Sequence, residues 1–142
     1  MKLQPQGWYI AWGKSALRIF KTKAFARFAR KERIDDAALW QAIADAGSGL
    51  VDADLGGGVI KQRIARKGQG KRSGYRAMVL YRAAHRAVFV SGFAKKDRDN
   101  ISDRELAALR ESAVEVLTWS EGQVARLLAA GAWVEIEKPK ER

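Results

Sequence analysis

Cysteine is absent from this 142-residue chain, and histidine occurs once. Without cysteine there are no disulfides, no thiolate nucleophile and no Cys-ligated zinc. The single histidine, His85, falls where a hairpin turn is expected, so a Ser–His–Asp relay has no framework and a surface role is expected of it. No apolar run approaches the ~18 residues that a membrane span needs. The opening MKLQPQGWYIAWGKSAL carries Pro5 and Gly7 and lacks the long apolar run of a secretory signal. A cytoplasmic protein is expected, with one principal domain large enough to bury a core. One further absence is local: between Leu55 and Lys96 there is no Asp or Glu.

That acid-free window holds eleven Lys and Arg residues and therefore the whole formal charge of +11. Elsewhere the sixteen acidic residues are matched by as many basic ones. Cations confined to one part of a fold focus a positive potential, which attracts a polyanion by neutralising phosphates and releasing counterions. An RNA-facing surface is the first reading.

The pattern along the chain mixes helices and strands. Residues 1–16 show neither period and read as an N-terminal extension, non-native in origin or poorly ordered. The principal domain is expected over 17–137, with a tail at 138–142. LRIFKT, from Leu17, reads as a strand; Thr22 can cap a helix carrying Phe25 and Phe28 in the core. Asp35 caps a second helix, with Ile34 and Leu39 at staple positions, running to Gly47-Ser48-Gly49. After Gly56-Gly57-Gly58, a strand over Val59–Arg66 alternates Ile60, Gln62 and Ile64 against Val59, Lys61 and Arg63. The loop KGQGKRSG leads to a strand over Tyr75–Arg82. A four-residue turn at Ala83–Arg86 returns the chain through Ala87–Ala94 as an antiparallel hairpin. Ser102 and Glu105 form a capping box before the apolar stripe Leu106, Leu109, Ala113 and Val116. Ser120 and Gln123 repeat that spacing before a last helix, and AWVEIE can add a short strand.

If Arg82 pairs with Ala87, Arg76 faces Phe93 and Gly74 faces Lys95, on one face near one end of the hairpin. Lys61 and Arg63 join that face if the preceding strand pairs alongside. Four cations and an aromatic on which a base can stack then converge. Arg66, Lys67, Lys71 and Arg72, around the glycine-rich loop, are candidate RNA contacts together with Phe93. The loop does not match GxxxxGK[ST], so no nucleotide-binding loop is inferred. Asp52 and Asp54 lack a neighbouring His or third carboxylate, and no metal or small-molecule cofactor is expected.

The segments IKQRIARKGQGKRSGYRAMVLYR and AVFVSGFAKKDRDNISDRELAAL resemble toxins of the RelE/ParE superfamily, closest to the RelE- and HigB-like branch of type II toxin–antitoxin systems. The resemblance covers roughly residues 17–117. It implies an α+β fold: a small, mostly antiparallel sheet with helices packed on one face, plus C-terminal helices. It also implies a ribosome-dependent mRNA endoribonuclease, with mRNA, the ribosome and a cognate antitoxin encoded by an adjacent gene as partners. Arg76 matches the arginine set against the scissile phosphate. Lys96 takes the place of a second catalytic arginine, and Lys61 and Arg63 match two basic strand positions. The family's catalytic tyrosine has no counterpart: its neighbourhood here is Ile101-Ser102, and Tyr75 and Tyr81 do not align with it. An ammonium among other cations releases its proton more readily, so Lys61, Lys95 and Lys96 are candidates for proton transfer, with base and acid unassigned. A gyrase-poisoning relative and a non-catalytic nucleic-acid-binding domain are the alternatives.

Overall fold

Side-chain caps set the helix boundaries. In the protein, described by a computed structural model over residues 17–66, 70–95 and 100–139, Thr22 Oγ1 accepts from the Phe25 amide at 3.1 Å and Asp35 Oδ1 from the Ala38 amide at 3.0 Å. The side chains at 66 and 70–73 lie outside the description, as does the expected extension 1–16. Along the chain come β1 (Arg18–Thr22), α1 (Lys23–Glu32), α2 (Asp36–Gly47), β2 (Ala53–Asp54) and β3 (Val59–Arg66). They are followed by β4 (Gly70–Arg82), β5 (Arg86–Ala94), α3 (Asp103–Val116), α4 (Glu121–Ala129) and β6 (Trp133–Ile136). Both expected capping boxes, Ser102 with Glu105 and Ser120 with Gln123, are formed.

The strands make one sheet in the order β2-β3-β4-β5-β1-β6. Among the described residues only β1 and β5 pair in parallel; the other pairings are antiparallel, giving the expected α+β class. The helices expected on one face are α1 and α2. Their Phe25, Ala29, Leu39 and Ile43 pack on Ile19, Ile60, Val79 and Phe89. The C-terminal pair occupies the opposite face, where Ala113, Val116 and Val124 meet Phe20, Val59, Leu80 and Val88. Adjacent apolar residues on one strand, such as Ile19 and Phe20, thus serve two cores, because a strand alternates sides at every residue.

Three details differ from the sequence reading. β4 begins at Gly70, so most of KGQGKRSG after residue 69 is strand, not loop. An edge strand, β2, appears where none was expected and pairs Ala53 with Lys61. The hairpin turn is one residue shorter: Arg82 pairs with Arg86, and Ala84 turns the chain at φ 61°. A β-bulge between Met78 and Val79 then takes up one residue of β5, so that Arg76 still faces Phe93.

Two arginines fasten the second helix layer. Arg18 and Arg86 are register partners on β1 and β5, an unfavourable juxtaposition of like charges unless an anion intervenes. Glu121 supplies it, accepting from Arg18 Nη1 at 2.5 Å and from Arg86 Nη2 at 3.1 Å. Arg86, only 1% exposed, also donates to the Val116 carbonyl at 2.7 Å, satisfying the end of α3. Arg18 binds Glu135 of β6 at 2.8 Å and lies 5.0 Å from the Phe20 ring centroid.

Gly92 sits beneath α1, where an added Cβ would lie 2.5 Å from Phe28 and 3.0 Å from Phe25. Gly92→Ala must therefore displace the Phe28 ring or α1 with it, and a loss of ~1–3 kcal/mol in urea unfolding is expected, the range for overpacking a filled core. The Glu121 carboxyl gives a second test. Desolvation raises its pKa, but hydrogen bonds and charge from Arg18 and Arg86 outweigh this and hold it below the ordinary 4.5. The unfolded chain therefore binds this proton first as pH falls. The stability contributed by Glu121 is complete above 4.5 and is lost as pH drops through the lower folded value. Glu121→Gln should accordingly lower the urea midpoint near neutral pH and show a smaller further drop in acid than the wild type.

Candidate nucleic-acid interface

On the face that carries α3 and α4, the side chains beyond Val59 on β3 are Lys61 and Arg63. Those beyond Leu80 on β4, toward its N-terminal end, are Met78 and Arg76. Arg63 pairs with Arg76, and Arg76 with Phe93, so the three form a row across β3, β4 and β5. Two guanidiniums directly opposite each other would repel. The missing anion is Asp52, just before edge strand β2. Its Oδ1 accepts from Arg63 Nε at 2.8 Å, while its Oδ2 lies 3.4 Å from Arg76 Nε and 3.9 Å from Lys61 Nζ.

Burial grades the cluster. The side chains of Arg76, Asp52 and Lys61 are 6%, 10% and 17% exposed, whereas Arg63 stands 49% exposed at the rim. Arg76 also donates from Nη1 to the Tyr75 carbonyl at 3.4 Å. A cavity of about 350 Å³, lined by Asp45, Leu50, Val51, Asp52, Gln62 and Arg63, opens beside the group. A half-exposed arginine over a buried one gives a polyanion a point of entry and a desolvated charge deeper in, where electrostatic interactions are stronger.

The candidates from sequence divide four ways. Lys61, Arg63 and Arg76 come together. Phe93 lies in the same row but is only 8% exposed, so most of the ring surface expected to stack on a base is covered. Lys95 is exposed just past β5 and its amide donates to the Gly74 carbonyl at 3.3 Å, the pairing expected for it. Lys67 and Lys96 lie outside the described residues, as do the side chains of Arg66, Lys71 and Arg72. Tyr75 and Tyr81 belong to the opposite face, with the α1–α2 core. Ser102, near the place of the family tyrosine, accepts from the Glu105 amide at the start of α3.

Two residues that build the cluster escaped the sequence reading. Asp52 was weighed only with Asp54 as a metal pair, yet the two do separate work: Asp54 accepts from the Gly56 amide at 3.0 Å, and Asp52 faces the cations. Gln62 is 2% exposed on the helix-packed face. Its Nε2 donates to the carbonyls of Ala42 (2.8 Å) and Leu50 (2.9 Å), and its Oε1 accepts from the Asp52 amide at 3.0 Å. A signal for it existed. An amide between Ile60 and Ile64 on the apolar side of a strand must have buried partners, because an unpaired one costs too much.

The family model described as the RelE toxin of the RelE / RelB toxin–antitoxin system matches residues 17–136. No curated protein matches the chain.

The cluster's reach toward phosphate can be measured with a single-stranded RNA oligonucleotide. If Arg63 holds one phosphate, Arg63→Ala should reduce the slope of log affinity against log salt by about 0.7, the release expected per single-strand contact. Lysine in its place should keep the slope, since it keeps the charge. An unchanged slope in the alanine variant would place RNA elsewhere on the protein.

Proposed function

This chain belongs to the RelE toxin family, and we propose that it is a type II toxin that cleaves mRNA on the ribosome without a metal ion, in the cytoplasm. The observation that carries this reading is the buried Arg76 held across from Arg63 and beside Lys61, on a sheet region free of acidic residues of its own. Cleavage by the RNA's own 2′-hydroxyl needs that hydroxyl deprotonated, the pentacoordinate phosphorane stabilised and the departing 5′-oxygen protonated. A guanidinium stays charged and offers parallel donors to two phosphate oxygens, which suits Arg76 to the phosphorane. Arg63, at the rim, would steer the backbone in. Lys61, Lys95 and Lys96 are the groups available to carry the two protons. The cognate antitoxin would present an acidic segment, since charge complementarity speeds association and excludes wrong partners.

Adding the purified protein to a translation reaction and mapping mRNA 5′ ends tests the reading. Cuts in phase with codons and dependent on ribosomes are expected; intact mRNA with trapped gyrase–DNA complexes would move the chain to the gyrase-directed reading. Arg76→Ala should lower cleavage by at least ~10²-fold, the scale for losing one preorganised charge-stabilising donor. Ribosome binding should fall much less, as one phosphate contact is one of many. Arg76→Lys should remain poor, because a point charge lacks the planar fork. Arg82→Ala, at the exposed turn end of the same strand, should leave turnover nearly intact. Equal binding losses in both alanine variants, with an unchanged rate on saturated ribosomes, would reduce the sheet to an electrostatic platform.

A further inference from the structure

We propose that Asp52 is the positioning residue of this site, a fixed carboxylate that sets the two arginines at catalytic register. The inference deepens the functional reading above and rests on it. A phosphate would take a guanidinium at its Nη fork, two parallel bonds at a time. Asp52 does not compete for that fork. It takes the Nε edge of Arg63 at 2.8 Å and lies 3.4 Å from the Nε of Arg76, one carboxylate oxygen to each. Among the described residues, neither Nη group of Arg63 has a hydrogen-bond partner, and Arg76 spends only Nη1, on the Tyr75 carbonyl. The carboxylate therefore cancels the repulsion between the paired arginines without occupying an Nη group of either, and leaves the half-exposed fork of Arg63 open to phosphate.

Asp52 is itself held from behind. The buried Gln62 bonds Ala42 of α2, the Leu50 carbonyl and the Asp52 amide, pinning the connection between α2 and β2 onto β3. Because Gln62 lies between Lys61 and Arg63 in sequence, one strand supplies both the cations and the anchor for their counter-charge. Loss of the carboxylate frees two long side chains to splay apart, and misplacement by an ångström is enough to cost about 10²-fold in rate.

The test uses the full chain as wild type, Asp52→Asn and Asp52→Ala. Single-turnover cleavage on saturating ribosomes should fall about 10–100-fold in both, with half-saturation shifted less than about threefold, because the positive charge that drives binding remains. In parallel, the side-chain Nε–H signals of Arg63 and Arg76 should exchange slowly with water in the wild type and quickly in the variants. If Asp52→Ala fails to fold, Asp52→Asn, which keeps the size, is read instead. A rate that is unchanged or raised would overturn the proposal and make Asp52 a mere competitor of phosphate. Nε–H exchange in the wild type as fast as that of exposed Arg82 would overturn it too. A wild type that cuts no RNA would sink the functional reading alone, with the exchange measurement still deciding whether Asp52 grips the arginines.

Discussion

The β-bulge between Met78 and Val79 decides which side of the sheet each half of β5 presents. From the turn to Phe89, even-numbered residues of β5 face α3 and α4, as Val88 does, and odd ones face α1 and α2, as Phe89 does. Beyond the bulge the parity is exchanged. Gly92 now lies beneath Phe25 and Phe28, and Phe93 pairs with Arg76 on the other face. β4 keeps one parity throughout, with Tyr75, Ala77 and Val79 all in the first core. Without the extra residue in β5, Phe93 would be driven under α1, where only a glycine fits, and the row beside Arg76 would close with a different side chain. Packing of the first core and composition of the cationic face are thus two consequences of one register.

Like charges brought together by that register need anions in fixed places, and the fold meets the requirement twice by the same device. Glu121 stands between Arg18 and Arg86 at the end of the sheet covered by α3 and α4; Asp52 stands between Arg63 and Arg76 at the open end. In each case the acid comes from outside the strands that carry the arginines. The consequences differ with surroundings. Arg86 is 1% exposed and gives Nη1 to the Val116 carbonyl and Nη2 to Glu121, so it fastens the helices out of a ligand's reach. Arg63 is half exposed and engages through Nε. The same residue type is locked under helices in one place and reachable from solvent in the other, and burial separates the two.

The opening near the cations is also a matter of what the helices cover. α3 lies over Val59 and Leu80, and Gly58 permits its approach: at φ +87° it carries no Cβ, which would otherwise stand 2.9 Å from Leu117. Arg110 of α3 donates to the Leu55 carbonyl, fixing the helix to the turn before β3. The helical layer therefore ends over the start of β3, and Lys61 and Arg63 follow beyond it.

Much of this was legible in the residues themselves. Thr22, Asp35, Ser102 and Ser120 announce four helix starts because a cap is a local hydrogen bond within one turn. Period-two alternation in Val59–Arg66 places Lys61 and Arg63 on one side whatever the strand pairs with, and the acid-free window makes that side cationic. The Arg76–Phe93 pairing was anticipated from an assumed four-residue turn; the real turn is shorter, and the bulge compensates. Neither deviation leaves a local trace, since each is fixed by how the two strands pack on α1 and on α3. Edge strand β2 is two residues long, too short for any period to show. The role of Asp52 was hidden for the deepest reason. Its partners lie 9, 11 and 24 positions away, at Lys61, Arg63 and Arg76, and only the closing of the α2–β2 connection over β3 by Gln62 brings the carboxylate to them. Residue order alone set where the charge lies and, within β3, which residues share a face. The tertiary structure decided which of those charges are buried, what neutralises them and which edges they leave open, because these depend on contacts between segments that no local pattern encodes.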